Sequence, residues 1–143
     1  MAVIKASSSD IDVLARLMRA EAEGEGEQGM LMAGNVMVNR ARVGCLDFAN
    51  VNTIPQVAYQ SPGGFEAVQK SYFYQRARER DKRLAKRLIN GERFYPADNA
   101  LWFFKPAGDC PATWYGQVNS GRYKSHCFFI PTQAECSEVY STY

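Results

Sequence analysis

The chain has 143 residues, 46% of them hydrophobic and 22% charged, with a formal net charge of +2 at neutral pH. That length suits a single domain, 1–143, with a core of its own, and the composition excludes a disordered or fibrous chain. The small charge names no partner, no apolar run is long enough to cross a bilayer, and the N-terminus lacks the basic and apolar segments of an export signal, so retention inside a cell without membrane insertion is expected.

Ser8 or Ser9 is placed to cap a first helix, with Asp10 and Asp12 set favourably against the positive end of its dipole. Ile11, Leu14, Leu17 and Met18 mark one face of that helix, which is expected to reach about Ala22. Four carboxylates then follow at alternate positions: Glu21, Glu23, Glu25 and Glu27. At about 100° per residue, Glu21 falls among Leu14, Leu17 and Met18, whereas Glu23 lies nearly opposite Leu14. A carboxyl among apolar neighbours is costly to ionise, which moves its pKa towards the range useful to a general acid. Glu21 is therefore the candidate catalyst, and Glu23 reads as solvent-facing charge. Gly24 and Gly26 break the helix into a turn.

A second helix is expected from Glu27 to Arg42, buried through Met30, Leu31, Ala33, Met37, Val38 and Ala41, with Gly34 admitting a neighbouring backbone and Arg40 and Arg42 suiting its C-terminal end. Asn35 and Asn39 lie one turn apart on a separate stripe. They are helix-surface amides, a buried structural pair, or, for Asn39, a substrate contact. Residues 43–52 read as a loop, and Thr53-Ile-Pro-Gln as the start of a short helix reaching Tyr59. The turn-rich segment from Gln60 to Val68 holds Phe65 and Glu66 near a surface, where it can wall a cleft.

Between Gln75 and Arg93 stand eight Arg or Lys residues. Most of them sit on a helix expected over Glu79 to Asn90, whose stripe is Leu84, Leu88 and Ile89 and whose C-cap is Gly91. The basic face is either solvated or a site for an anion; no motif accompanies it that would point to nucleic acid. After Pro96 the chain turns aromatic and β-prone, and 100–104 and 123–130 read as strands of a small antiparallel sheet. The loop between them carries Trp114 and Tyr115, whose rings suit stacking on sugars or packing in a core. With the helices first and the sheet last, the class is α+β.

Cys45, Cys110, Cys127 and Cys136 show no C-x-x-C spacing, and His126 is the only histidine. A zinc site would have to be assembled from scattered residues, so neither a metal nor a cofactor is expected. Free buried thiols are the expectation. In an oxidising layer, pairing of Cys127 with Cys136, or of either with Cys110, stays open. His126, lacking the partners of a metal site or a nucleophilic triad, reads as structural or as a hydrogen-bond donor at the edge of a site.

Ala20-Glu-Ala-Glu-Gly-Glu, Gly29 and Gly34-Asn-Val-Met-Val-Asn-Arg together resemble the signature of the SleB/CwlJ cell-wall hydrolases, the spore cortex-lytic enzymes. Tyr59-Gln, Phe65-Glu-Ala-Val, Asn90-Gly, the strand ending at Lys105-Pro and Lys124-Ser-His resemble later blocks in the same order, and the short length fits the CwlJ branch. The resemblance implies a lysozyme-like or lytic-transglycosylase-like domain that cleaves spore cortex peptidoglycan between N-acetylmuramic acid and N-acetylglucosamine during germination. It maps the catalytic acid onto Glu21. SleB-like members often carry a basic residue where this chain has Glu23. Glu25 and Glu66 are the candidates for a second carboxylate, although Glu25 is equally suited to a helix dipole. Asn39, Gln60, Phe65, Trp114 and His126 complete the candidate substrate-binding set. The resemblance also implies synthesis in the mother-cell cytoplasm, deposition in the spore coat and cortex region, a coat-anchoring partner such as GerQ and a link to calcium dipicolinate release. The alternative is a non-catalytic coat or cortex-binding protein that keeps the fold.

Overall fold

A computed structural model describes residues 2–61 and 64–141. Helix α1 spans Ser8–Ala22 and is capped by Ser7, not by Ser8 or Ser9. The Ser7 hydroxyl accepts from the Asp10 N–H and the Asp10 carboxylate accepts from the Ser7 N–H, both at 3.1 Å. This reciprocal box satisfies two otherwise orphaned donors and so sets the first turn. Leu14, Leu17 and Met18 are buried, as the helical phase requires. The chain then makes a 3₁₀ turn over Glu23–Glu25 and enters helix α2, Gly26–Val43, through Gly26 at φ +81°, a conformation that favours glycine.

Helix α2 is the central element: every residue from Gly29 to Ala41 is buried. It packs against α1, against the short helix α3, Ile54–Tyr59, and against α4, Glu79–Ile89. Thr53 and Gln56 box the start of α3, and Leu84, Leu88 and Ile89 bury the expected stripe of α4. A Cβ on Gly34 would lie 2.4 Å from Leu88 Cδ1 and 2.7 Å from Met18 Sδ. Close approach is therefore needed there, but by side chains of α4 and α1 and not by a backbone.

The sheet has four antiparallel strands in the order β1, β4, β3, β2: β1 Trp102–Phe104, β2 Thr113–Trp114, β3 Gln117–Tyr123 and β4 His126–Ile130. Trp114 thus lies on a strand and not in the expected loop. Strand β3 escaped the sequence reading because Gln117-Val-Asn-Ser-Gly-Arg-Tyr has no apolar alternation; it is held by pairing with the buried β4 on one side and β2 on the other. Asn39 is wholly buried, and its amide donates towards the carbonyls of Ala97, Asp98 and Ala100 at 3.3, 3.0 and 2.9 Å. Asn35 accepts from the Phe94 N–H at 2.7 Å. Both amides pin the approach to β1, and Asn39 is a structural residue instead of the substrate contact expected of it.

The cysteines also correct the expectation of free thiols. Cys45 pairs with Cys136 and Cys110 with Cys127, each pair with its Cα atoms 5.8 Å apart, the usual spacing for a bridge. The second pairing was among the open ones. The first joins residues 91 apart in sequence, which no local spacing reveals. It ties the C-terminal segment to the end of α2, where Arg42 also donates to the carbonyls of Glu138 and Val139. No described helix is long and apolar enough to cross a membrane.

Candidate active site

A cleft of ≈ 920 Å³ opens between the helices and the sheet. Glu21 reaches it from the last turn of α1, and Gln60, Phe65 and Glu66 line it from the segment after α3. The sheet contributes Phe103, Phe104, Trp114 and His126. Six of the eight expected site residues therefore share one cavity; Asn39 and Glu25 are not among its walls. Pro62 and Gly63, at the centre of the expected turn, lie outside the described residues.

Glu21 is half-buried and accepts no hydrogen bond from a described residue. Burial raises its carboxyl above the usual carboxylate range; His126, Arg40 and Lys70 oppose that rise and Glu66 adds to it. The result is a carboxyl that keeps its proton to higher pH than an ordinary carboxylate does and has a free face towards the cleft. Two separate groups of rings stand on the sheet side of the cleft. The Phe104 and Trp114 rings stack at 4.5 Å, Phe104 and Phe129 at 5.6 Å, and Phe103 meets His126 edge-on at 5.4 Å. Gln60 donates from Nε2 to the Asp47 carbonyl at 2.8 Å, which leaves its buried Oε1 without a partner among the described residues.

Glu25 has a different environment. Its carboxylate accepts from the Ser125 N–H at 3.0 Å and from the Ser125 hydroxyl, and its Oε1 lies 2.5 Å from His126 Nδ1. Burial works to raise this carboxyl, but the bonds from Ser125 and His126 outweigh it and hold it below the ordinary value. An ionised Glu25 requires the proton on His126 Nδ1, so it fixes the ring that borders the cleft. Lys124 adds a bond from Nζ to the Glu25 carbonyl at 3.1 Å. The turn between α1 and α2 is thus tied to the β3–β4 hairpin, and Glu25 makes no side-chain bond to the helix it precedes. Glu23 is half-exposed and not simply solvated: it receives the Tyr72 hydroxyl and pairs with Arg78 at 2.9 Å.

The residue that sequence reasoning missed is Arg40. It reads as a helix-end charge, yet it is only 6% exposed and lines the cleft. Its Nε donates to the Leu101 carbonyl at 2.8 Å, and its guanidinium lies 4.4 Å from the Phe48 ring centroid and 4.9 Å from that of Phe65. Burial lowers its pKa to about 10, against the fields of Glu21 and Asp47, so it remains a cation at neutral pH. An arginine on the buried stripe of α2, in phase with Met37 and Ala33, was the available signal.

The family model for cell wall hydrolases matches residues 24–129, a span that opens just after Glu21 and includes His126. The chain belongs to the cell wall hydrolase family. It is 70% identical to the cell wall hydrolase CwlJ of Halalkalibacterium halodurans over the whole of both chains. It is 57% identical to the cell wall hydrolase CwlJ of Bacillus subtilis, again over the whole of both. Two solved structures share its fold. The catalytic domain of Bacillus cereus SleB is 24% identical with a TM-score of 0.71, covering 90% of this chain and 97% of that one. The catalytic domain of the germination-specific lytic transglycosylase SleB from Bacillus anthracis is 27% identical with a TM-score of 0.66, covering 87% and 96%. The lysozyme-like α+β architecture expected from the sequence is therefore the observed one, and the cell wall hydrolase is a peptidoglycan-degrading enzyme.

Proposed function

We propose that this cell wall hydrolase cleaves spore cortex glycan strands between N-acetylmuramic acid and N-acetylglucosamine during germination, with Glu21 as general acid and then general base. The observation that carries the reading is a half-buried carboxyl with a raised pKa and no hydrogen-bond partner among the described residues, facing an aromatic-walled cleft. Glu21 protonates the glycosidic oxygen as the bond from C1 to that oxygen breaks, and positive charge develops on the muramyl ring. The resulting Glu21 carboxylate takes the proton of the muramyl 6-hydroxyl, whose oxygen closes onto C1 to give a 1,6-anhydro end. The Glu25 carboxylate is engaged by Ser125 and His126, which favours this one-carboxylate route over a hydrolysis that calls on a second. Glu66, exposed on the cleft wall, is the remaining candidate for activating water. Trp114, Phe65 and Phe103 offer ring faces to sugars, Gln60 Oε1 can accept an acetamido N–H, and His126 borders the reacting bond.

Deposition in the spore coat and cortex region, after synthesis in the mother cell, and anchoring by a coat protein such as GerQ belong to the same proposal; a role in germination is supported by the likeness to the germination-specific SleB of Bacillus anthracis. The test is digestion of purified cortex with the unmutated protein and Glu21→Gln, followed by mass spectrometry of the fragments. Anhydro-muramyl ends made only by the unmutated protein are expected. Reducing ends would assign hydrolysis, and equal cleavage by both proteins would refute the role of Glu21.

A further inference from the structure

Of the polar groups lining the cleft that the reaction just described leaves without a task, Arg40 is buried, whereas Asp47, Ser61 and Lys105 are exposed. Among the described residues its single hydrogen bond is from Nε to Leu101, Nη1 is buried without a partner, and no carboxylate pairs with the fork formed by Nη1 and Nη2. Glu21 and Asp47 act on it only through space. A desolvated cation with unfilled donors is costly unless something satisfies them. The two rings beside it, Phe48 and Phe65, hold the guanidinium plane and restrict what fits. A planar fork of donors matches a two-oxygen anion far better than a hydroxyl or a single carbonyl.

Resting on the glycan-cleaving reading above, we propose that the guanidinium of Arg40 recognises a carboxylate carried by the muramyl unit, either the free lactyl carboxylate or that of a peptide stem attached to it. N-acetylglucosamine carries no such group, so this contact sets which sugar of the alternating strand sits beside Glu21. It makes Arg40 a specificity residue. It also assists the acid: Arg40 is one of the charges that work against the proton on Glu21, with His126 and Lys70 beside it and Glu66 opposed. Pairing Arg40 with an incoming carboxylate weakens that opposition at the moment a proton is needed.

Both tryptophans of the chain, Trp102 and Trp114, line the cleft, so their fluorescence reports its occupancy. The experiment titrates Glu21→Gln, which blocks turnover, with glycan strands stripped of peptide and with strands retaining stems, each before and after carbodiimide amidation of the carboxyl groups. Amidation is expected to weaken binding roughly tenfold or more in the arm that supplies the carboxylate. In Glu21→Gln/Arg40→Gln the two forms of each strand are expected to bind within about twofold of each other. Should that double variant fail to fold by circular dichroism, Glu21→Gln/Arg40→Lys, which keeps the charge and loses the fork, replaces it and is expected to retain only part of the discrimination. Equal binding of native and amidated strands by Glu21→Gln in both arms overturns the proposal, since a merely structural Arg40 would not sense the carboxylate. Cleavage by the unmutated protein separates the two readings: strands cut regardless of amidation refute Arg40 alone, and strands bound with the expected preference yet never cut refute Glu21 alone.

Discussion

Glu25→Gln separates a positioning carboxylate from a catalytic one. The substitution keeps an oxygen for Ser125 but turns the group facing His126 Nδ1 from acceptor to donor, which removes the 2.5 Å bond that orients the ring. The Glu25 side chain is only 12% exposed, so a lost charge-assisted bond there costs about 1.5–3 kcal/mol, or roughly 3–12 °C in melting temperature for a domain of this size. The sign with pH follows from the depressed Glu25 carboxyl. Its contribution is present above the ordinary carboxylate value and is lost as pH falls through the depressed one, so the gap between the unmutated protein and Glu25→Gln is open at neutral pH and closes in acid. As a positioning residue, Glu25 should leave kcat reduced on the order of ten- to a hundredfold, short of the thousandfold or greater loss expected of Glu21→Gln. The assay is cortex cleavage beside thermal melts at pH 7 and at acid pH. A Glu25→Gln protein as inactive as Glu21→Gln, with an unchanged melt, would refute the positioning role and make Glu25 the second catalytic carboxylate.

Glu21→Gln is expected to melt higher than the unmutated protein at neutral pH. The raised Glu21 carboxyl favours the folded state only while protonated, so its contribution fades as pH rises through the folded value; no gain at neutral pH relative to acid would contradict the burial argument. Replacing Cys45 and Cys136 by Ser should destabilise more than replacing Cys110 and Cys127, because the loops closed span 91 and 17 residues; chain entropy gives about 4.6 against 3.1 kcal/mol, readable by denaturant unfolding. Asn39→Ala should cost about 1–3 kcal/mol of stability by orphaning buried carbonyls, while the KM of the folded protein stays within about twofold. A raised KM with an unchanged melt would return Asn39 to the site.

The helices were legible because each carries its own signal. Leu14, Leu17 and Met18 give a phase, Thr53 and Gln56 give a start, and the narrow stripe of α4 gives an orientation. The sheet was only half legible. Strands β1 and β4 announce themselves by aromatic residues, whereas β3 is polar and exists through its neighbours, so its pairing is a tertiary fact. The Cys45–Cys136 bridge is hidden for the same reason. It depends on where the end of α2 meets the C-terminal segment, and no spacing in the chain encodes that meeting.

The glutamates show where local reading stops. Helical phase separates Glu21 from Glu23 because both precede or closely follow the end of α1 at Ala22, where the period of about 3.6 residues still holds. It has no authority over Glu25, which lies beyond the 3₁₀ turn. That carboxylate is directed by Ser125 and His126, a hundred residues away, and a dipole argument at the start of α2 cannot find them. Arg40 inverts the lesson. Its place on the buried stripe of α2 was visible in the sequence, but a charge at a helix end already had a sufficient explanation there. An ionisable residue in phase with a buried stripe demands an account of its partners before its helix-end position is accepted as one, and for Arg40 the account proposed above is a carboxylate of the substrate.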